Sequence, residues 1–244
     1  MSQAKILWLS DIHYLHNEDF IDKIYKKKIN QYFESIRDEI YNKIKPTHIV
    51  ITGDIVFSAK KEQYDGLYDH ILKSYLLDNP KVRLLTCIGN HSVNRDMVKI
   101  FTEKVRQGKT NFWKSENRQN FISTSKDDDI LNKFLNYQEV KNQLANYSIN
   151  DLVKEKNLFN LLFIHYIAFY KERVISRIDD INRLNPEEIQ ILNQDRNECK
   201  FGVIHDTKYN LIFVTLNSAY LAWGDETYEE LYKDSSKAFQ NLDN

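Results

Sequence analysis

The segment His48–Asp54, HIVITGD, decides the fold of this chain. Its first five residues are mostly β-branched and apolar, which is typical of a buried strand, and Gly53-Asp54 ends the run. Upstream, Asp19 to Lys45 carries apolar side chains at helical spacing until Pro46, which predicts an amphipathic helix. Downstream, Lys61 to Leu76 predicts a second helix. The segment is therefore predicted to be a strand between two helices.

Two further apolar runs extend this alternation in both directions along the chain. Lys5 to Leu9 (KILWL) and Val82 to Ile88 (VRLLTCI) each predict a short buried strand that ends at polar residues. Strands that alternate with helices pair in parallel through crossover connections. The sequence therefore predicts an α/β fold whose first three strands are parallel.

The second half of the chain has a less regular pattern. Residues 97–160 are polar and predicted to be largely helical. Leu161 to Ala168 (LLFIHYIA) is apolar over most of its length, and its period favours neither a buried strand nor a helix. Phe201 to Ile204 and Leu211 to Leu216 predict two strands joined by a turn.

The composition is typical of an ordinary soluble protein, with 42% hydrophobic and 28% charged residues. The 34 basic and 35 acidic residues nearly cancel, which argues against a chain dominated by attraction to nucleic acid. Two cysteines form no disulfide framework, and this fits a reducing compartment. Neither a signal peptide nor an apolar run long enough for a transmembrane helix is found. We therefore expect a soluble, cytoplasmic protein.

Each of the three early strands is predicted to end in residues that can bind a metal. Asp11-Ile12-His13 follows the first strand, Gly53-Asp54 the second and Gly89-Asn90-His91 the third. The carboxyl ends of parallel strands lie along one edge of a sheet, so these side chains are expected to meet. Carboxylate, imidazole and amide groups suit manganese, iron or zinc better than calcium. The two glycines would let the backbone turn sharply and approach closely.

Taken singly, each cluster has an ordinary structural interpretation. Asp favours turns at strand ends, and Gly-Asp is a common turn dipeptide. His48 and His70 are most simply surface residues of a strand and a helix. Only the occurrence of all three clusters in order, each closing a predicted strand, indicates one shared site.

The three clusters resemble the motifs of the calcineurin-like metallophosphoesterase superfamily. The family carries Asp-x-His, Gly-Asp-x-x and Gly-Asn-His-Asp/Glu, each after a strand. Here they read Asp11-x-His13, Gly53-Asp54-Ile55-Val56 and Gly89-Asn90-His91-Ser92. A looser similarity continues to Leu216-Asn217-Ser218, which follows a predicted strand.

The resemblance implies a role for each matching residue. Asp11 and His13 would bind a first metal, Asp54 would bridge two metals, and Asn90 would bind the second. His91 would lie just outside the metal shell and protonate the leaving-group oxygen or stabilise the charged transition state. The two metals would activate a water molecule and clamp the phosphoryl oxygens for in-line attack.

The sequence departs from the family in two places. Ser92 stands where the family usually has Asp or Glu. The family's later strand ending in His and its Gly-His-x-His motif are not found, so the predicted fold is C-terminally incomplete. Either a longer protein or a partner completes the site, or the chain is a natural short form. His165 and His205 are conceivable substitute ligands, although both precede Leu216-Asn217-Ser218, against the family order.

The resemblance implies a sandwich of mixed β-sheets flanked by helices. We expect a single domain over residues 1–244, with a helical insertion or cap within 97–200. The implied activity is hydrolysis of phosphate esters at two divalent metals, manganese favoured over iron or zinc. Phosphodiesters of nucleotides or nucleic acid are the leading substrates, and the Arg95 guanidinium is a candidate phosphate contact. The alternative is a degenerate, inactive domain that acts as a binding or assembly module.

Overall fold

The computed structural model of the protein describes residues 3–15, 20–77, 79–106, 138–144, 161–192 and 201–217, together with Ala219. The chain divides into two compact units. The first comprises Met1–Ser92 and Phe163–Tyr220, and the second comprises Val93–Leu162 and Leu221–Asn244. Each unit is described separately below.

The first unit contains a three-stranded parallel sheet in the order β1-β2-β3. Its strands are β1 (Ile6–Ser10), β2 (His48–Thr52) and β3 (Arg83–Thr86). Ile6 pairs with His48, and His48 pairs with Arg83, so the amino ends of all three strands are aligned. Every residue of β3 is buried, including the polar Arg83 and Thr86, and parallel sheets are commonly buried in this way. The predicted parallel strands are confirmed.

Helical segments follow each of these strands, and several of them contain a π-helical turn. Pro46 and the left-handed Lys45 (φ 51°) end the first helical region, as the sequence predicted. No described helix combines the length and apolar character needed to cross a membrane; the cytoplasmic location stays a prediction. The helical segments of the first unit are α1 (Phe20–Ile36), a π-turn (Arg37–Tyr41), α2 (Asn42–Ile44), α3 (Lys61–Leu67), a π-turn (Tyr68–Leu72), α4 (Lys73–Leu77) and a 3₁₀ turn (Asn90–Ser92).

The ambiguous segment Leu161 to Ala168 is helical. It enters α7 (Ile164–Phe169), which continues through a π-turn (Tyr170–Ile175) into α8 (Ser176–Leu184). Residues 161–167 are all buried, which explains why the segment has no amphipathic period. The Tyr166 hydroxyl lies 2.9 Å from the Thr86 hydroxyl and so anchors this helix to β3.

Arg177 on α8 fixes the loop that leads into β3. Its guanidinium donates hydrogen bonds to the backbone oxygens of Leu76 (3.1 Å), Asn79 (2.6 Å) and Val82 (2.6 Å). Three bonds from one planar, charged group hold this turn in a defined geometry. The position of β3, and of the polar residues that follow it, is therefore tied to the helical layer.

A three-stranded antiparallel sheet completes the first unit. It has the order β4-β5-β6, with β4 (Ile189–Ile191), β5 (Phe201–Asp206) and β6 (Leu211–Leu216). The predicted hairpin of β5 and β6 is confirmed, with Asp206 opposite Leu211. The sequence did not reveal β4, whose three residues are too few to show an alternating pattern. One parallel and one antiparallel sheet with flanking helices confirm the predicted α/β class.

A buried ion-pair cluster joins the amino edge of the parallel sheet to the antiparallel sheet. Asp206 accepts hydrogen bonds from Arg83 (2.7 Å) and His48 (3.1 Å), and the Arg83 guanidinium also binds Glu188. Burial raises the pKa of Asp206, but the hydrogen bonds from His48 and Arg83 outweigh burial and hold it below its usual value. Lys208 approaches Glu188 at the rim of the cluster, at 3.2 Å.

The expectation that His48 is a surface residue is wrong, because its side chain is 0% exposed. Burial of the imidazole is compensated by the Asp206 carboxylate and by the Thr47 hydroxyl, 2.8 Å from Nδ1. The ring also lies beside Phe213, with centroids 5.2 Å apart. The sequence gives no local sign of a partner that follows so much later in the chain.

The described part of the second unit includes α5 (Arg95–Arg106) and α6 (Gln138–Gln143). Asn94 caps α5, since its side-chain oxygen accepts from the Met97 N–H at 3.2 Å. These two helices agree with the helical character expected of residues 97–160. Most of the range 97–200 lies outside the described residues, so the single domain with an insertion there stays a prediction.

Candidate metal centre

Three polar side chains converge at the carboxyl edge of the parallel sheet. One ligand atom each from His13, Asp54 and His91 lies within 4.8 Å of the others. Both imidazole Nε2 atoms are 3.9 Å from Asp54 Oδ2. The two imidazole rings meet edge to face, with centroids 4.9 Å apart. Three of the side chains expected to meet at this edge therefore do so.

The segment after β1 reaches the centre in an unusual backbone conformation. Asp11 and His13 are both left-handed, with φ of 51° and 48°, although neither is a glycine. Backbone bonds from Asp11 N–H to Thr52 O (3.1 Å) and from His13 N–H to Asp54 O (2.9 Å) hold this geometry. A left-handed residue costs about 1–2 kcal/mol, and the hydrogen bonds to the neighbouring segment offset this cost.

Steric contacts explain the two glycines in the motifs. A Cβ on Gly53, which has φ of 72°, would overlap the Asp11 carboxylate. A Cβ on Gly89 would overlap the Asp54 carboxylate and lie 2.5 Å from the Gly53 carbonyl carbon. Only glycine lets the ends of β2 and β3 pack this closely around two carboxylates. The close approach expected from the sequence is present.

Asp54 is the central residue of the site and is only 7% exposed. Its Oδ1 accepts a hydrogen bond from the His91 backbone N–H at 2.8 Å. With its amide nitrogen turned toward Asp54, Asn90 donates to both carboxylate oxygens, at 3.2 and 3.0 Å. A half-turn of that amide would place its oxygen next to the carboxylate, which is favourable only with a cation between them. Asn90 is therefore positioned to serve as an oxygen ligand.

Asp11 lies next to Asp54 and is held in its ionised form. The Ser10 hydroxyl and the Asp54 backbone N–H (3.3 Å) donate to its carboxylate, and together they lower the pKa of Asp11. Two carboxylates therefore share this edge. Among the described residues, the basic side chains found within 4 Å of Asp54 are the two imidazoles.

His91 is oriented by a backbone contact rather than by a side chain. Its Nδ1–H donates to the Phe57 carbonyl oxygen, which can only accept. In the neutral imidazole this leaves the Nε2 lone pair directed toward the centre. The Phe57 ring also lies against His91, with centroids 5.6 Å apart.

Ser92, at the position where the resembled family usually has an acid, is buried near Tyr64. The Ser92 and Tyr64 hydroxyls have no hydrogen-bond partner of good geometry among the described residues. Burial raises the pKa of Tyr64 above its usual range; the nearby Ser92 hydroxyl opposes this shift, and the charge of Asp54 adds to it. Ser92 therefore replaces a negative charge with a neutral, buried group.

Three other candidate residues lie elsewhere. His165 is buried on α7, and burial lowers its pKa to about 4, so that it is neutral at pH 7. His205 lies on β5 opposite Ile212. Neither His165 nor His205 belongs to the metal-capable group, which consists of His13, Asp54 and His91. Arg95 is exposed at the start of α5 in the second unit, so its phosphate contact stays a prediction. Asn217 directly follows β6, whereas Ser218 lies outside the described residues.

The donor set fits a divalent transition metal. Carboxylate, imidazole and amide groups suit manganese, iron and zinc. Within the described residues, His13, Asp54 and His91 form the one group of three or more His, Cys, Asp or Glu side chains close enough to share an ion, and Asp11 does not belong to it. Phe57 and Tyr64 were not identified from the sequence; for Phe57, the available signal was an aromatic residue three positions after the aspartate of Gly-Asp.

A family model described as calcineurin-like phosphoesterase matches residues 4–238 of this chain. No curated protein and no solved structure matches this chain.

Proposed function

The chain belongs to the calcineurin-like phosphoesterase family, and from this premise we propose that it hydrolyses phosphate esters at two divalent metal ions. Manganese is the favoured metal, and phosphodiesters of nucleotides or nucleic acid are the favoured substrates. The convergence of His13, Asp54 and His91 within 4.8 Å is the observation that carries the proposal. The family is metal-dependent, which agrees with this donor set.

The proposed binding roles are those that the family motifs imply, and the convergence of His13, Asp54 and His91 supports them. Asp11 and His13 would hold one ion, and Asn90 would hold the second through its amide oxygen. Asp54, whose carboxylate has two oxygens, would contribute to both. When bound, such ions offset the negative charge of a phosphate and lower the pKa of a water molecule. The residues of the chain supply rigid positions for that chemistry, fixed by the backbone bonds around them.

We assign His91 to the leaving-group oxygen. Its Nδ1–H is held by the Phe57 carbonyl, so the second proton of the imidazolium resides on Nε2, the atom that faces the centre. Donation of that proton to the leaving oxygen avoids release of an unstable alkoxide. The same atom is also within reach of a metal, so the test must separate an acid from a ligand.

The test measures metal content and turnover together. The purified chain is loaded with Mn²⁺ and assayed with bis-p-nitrophenyl phosphate and p-nitrophenyl phosphate. Asp54→Asn is expected to lose bound metal and about 10³-fold or more in kcat/KM. His91→Ala is expected to keep its metal and lose about 10²–10⁴-fold. Mn²⁺ at a hundred times its Kd should stabilise the wild type by about 2.7 kcal/mol, and Asp54→Asn should remove this gain.

Asp69→Asn is the matched control, because this carboxylate is exposed on the π-turn that follows α3. It should change neither metal content nor rate. Absence of both metal and turnover in the wild type would support a binding or assembly module instead. Loss of metal in His91→Ala would make His91 a ligand, and binding of one ion would remove the dinuclear centre from the proposal.

A further inference from the structure

An exposed aromatic ring lies beside the histidine of the candidate centre. Phe57 is 51% exposed, and its ring centroid is 5.6 Å from that of His91, with 53° between the planes. Among the exposed large apolar side chains of the described residues, it is the one in ring contact with the metal-capable group. The two residues that precede it, Ile55 and Val56, are fully buried. The chain thus leaves the core at Phe57, next to the centre.

The backbone fixes Phe57 on both sides. Its N–H donates to the Tyr14 carbonyl at 3.1 Å, and its own carbonyl accepts from His91 Nδ1. Both contacts use main-chain atoms, so the position of His91 does not depend on the phenyl group. The ring could therefore be removed without loss of either hydrogen bond, which makes its contribution separable by mutation.

An aromatic ring with half of its surface in water contributes little to the core. Burial yields about 25 cal/mol per Å² of apolar surface, and this ring forgoes much of that gain. A flat apolar surface at the rim of a polar site is well suited to a flat apolar ligand group. In this place such a group would lie against both the ring and the His91 side chain.

We propose that Phe57 forms the apolar wall of the leaving-group subsite and selects phosphate esters whose leaving group carries an aromatic ring. This inference rests on the proposed function, because a leaving oxygen protonated by His91 must lie within hydrogen-bond reach of its Nε2. The group attached to that oxygen then lies beside Phe57. The ring is a specificity-determining residue and takes no part in the bond-breaking step.

The test uses phenylphosphonate and methylphosphonate, which contain no ester bond and are not hydrolysed. Their Kd values are measured by calorimetry on the Mn²⁺-loaded protein. The wild type should bind the phenyl compound roughly fivefold to tenfold more tightly than the methyl compound. Phe57→Ala should reduce this preference to less than about twofold, with an unchanged Kd for methylphosphonate. Tyr32→Ala, which removes another exposed aromatic side chain (61%), should leave the preference intact.

Three results would overturn the inference: equal binding of both compounds, equal weakening of both by Phe57→Ala, or binding of neither. Turnover of p-nitrophenyl phosphate by the same preparation reports separately on the proposed function. A phenyl preference without turnover would support an aromatic-binding subsite at Phe57 and contradict the proposed hydrolase activity. The Kd values of adenosine 5′-phosphate and ribose 5-phosphate then identify the kind of aromatic ring. Tighter binding of adenosine 5′-phosphate that is lost in Phe57→Ala indicates a nucleobase. Equal affinity for the two compounds indicates an aryl ester.

Discussion

Charged residues lie at both edges of the parallel sheet, but the two edges differ in how those charges are paired. At the amino edge, Arg83 lies between Asp206 and Glu188, and all three side chains are at most 8% exposed. At the carboxyl edge, the Asp11 carboxylate accepts from the Asp54 backbone N–H at 3.3 Å, and the basic side chains found near Asp54 among the described residues are two imidazoles 3.9 Å away. One edge balances its charges internally, whereas the other is expected to need a cation from outside.

The backbone shows the same contrast. His48 and Arg83 lie in regular strand pairing at the amino edge. At the carboxyl edge, Asp11 and His13 have positive φ values, and Gly53 permits an approach that no larger residue allows. Strain and unbalanced charge in one place are typical of functional sites, while balanced buried charge is typical of structure. One sheet thus carries a structural ion-pair cluster at its amino edge and a candidate binding site at its carboxyl edge.

The largest expected effect on stability comes from Arg83→Met. This change leaves the Asp206 and Glu188 carboxylates buried without their guanidinium, and it should lower the free energy of unfolding by about 3–5 kcal/mol. Asp54→Asn, measured without added metal, should change it by less than about 1 kcal/mol, since the asparagine oxygen can still accept from the His91 backbone N–H. Urea denaturation followed by circular dichroism measures both.

Arg183→Met is the matched control for that experiment. Its guanidinium side chain is 76% exposed and pairs with Asp180 at 3.1 Å, so its loss should cost no more than about 0.5 kcal/mol. If Asp54→Asn proved as destabilising as Arg83→Met, the carboxyl edge would also be structural. The contrast between the two edges would then fail.

The carboxyl edge could be predicted from the sequence because each of its clusters follows a strand within three residues. Parallel pairing brings Asp11, Asp54 and His91 to one edge, and the alternation of strands and helices already implies that pairing. The amino edge could not be predicted in this way. Its partners Arg83 and Asp206 lie 123 residues apart and meet only because the antiparallel sheet packs there. Contacts set by tertiary packing leave no local pattern.

The helical segment at His165 was ambiguous for a related physical reason. A helix buried on all sides is largely apolar on every face, so neither a period of 2 nor of 3.6 is visible. The roles of Phe57 and Tyr64 depend on which side chain each one contacts, and an aromatic residue in a sequence is by default part of a core. Patterns thus predict where strands end, but not what surrounds an aromatic ring.

A second, smaller effect is expected in how the free energy of unfolding depends on pH. The folded-state pKa of Asp206 lies below its ordinary value of 3.8, so its contribution is present above that pH and is lost as the pH falls through the folded value. The stability difference between wild type and Asp206→Asn should therefore shrink below pH 4. Unfolding by urea at several pH values measures this difference.

Asp11→Asn is the comparison from the other edge. The pKa of Asp11 is also lowered, chiefly by the Ser10 hydroxyl, but its carboxylate is exposed and screened by solvent. In metal-free protein its substitution should leave the acid dependence nearly unchanged. A larger change for Asp11 than for Asp206 would show that the carboxyl edge contributes more to folding than its exposure suggests.

The smallest expected effect comes from Lys208→Met, at the rim of the amino edge. Lys208 is 34% exposed and contacts Glu188 at 3.2 Å, so its removal should cost about 0.2–1 kcal/mol. Lys61→Met is a close control, because that side chain is 33% exposed and pairs with Asp65 in a single helix. Similar losses for the two lysines would mean that Arg83 alone neutralises Glu188. A loss as large as that of Arg83→Met would instead mean that the cluster needs both cations, and its charge balance would then extend to the surface.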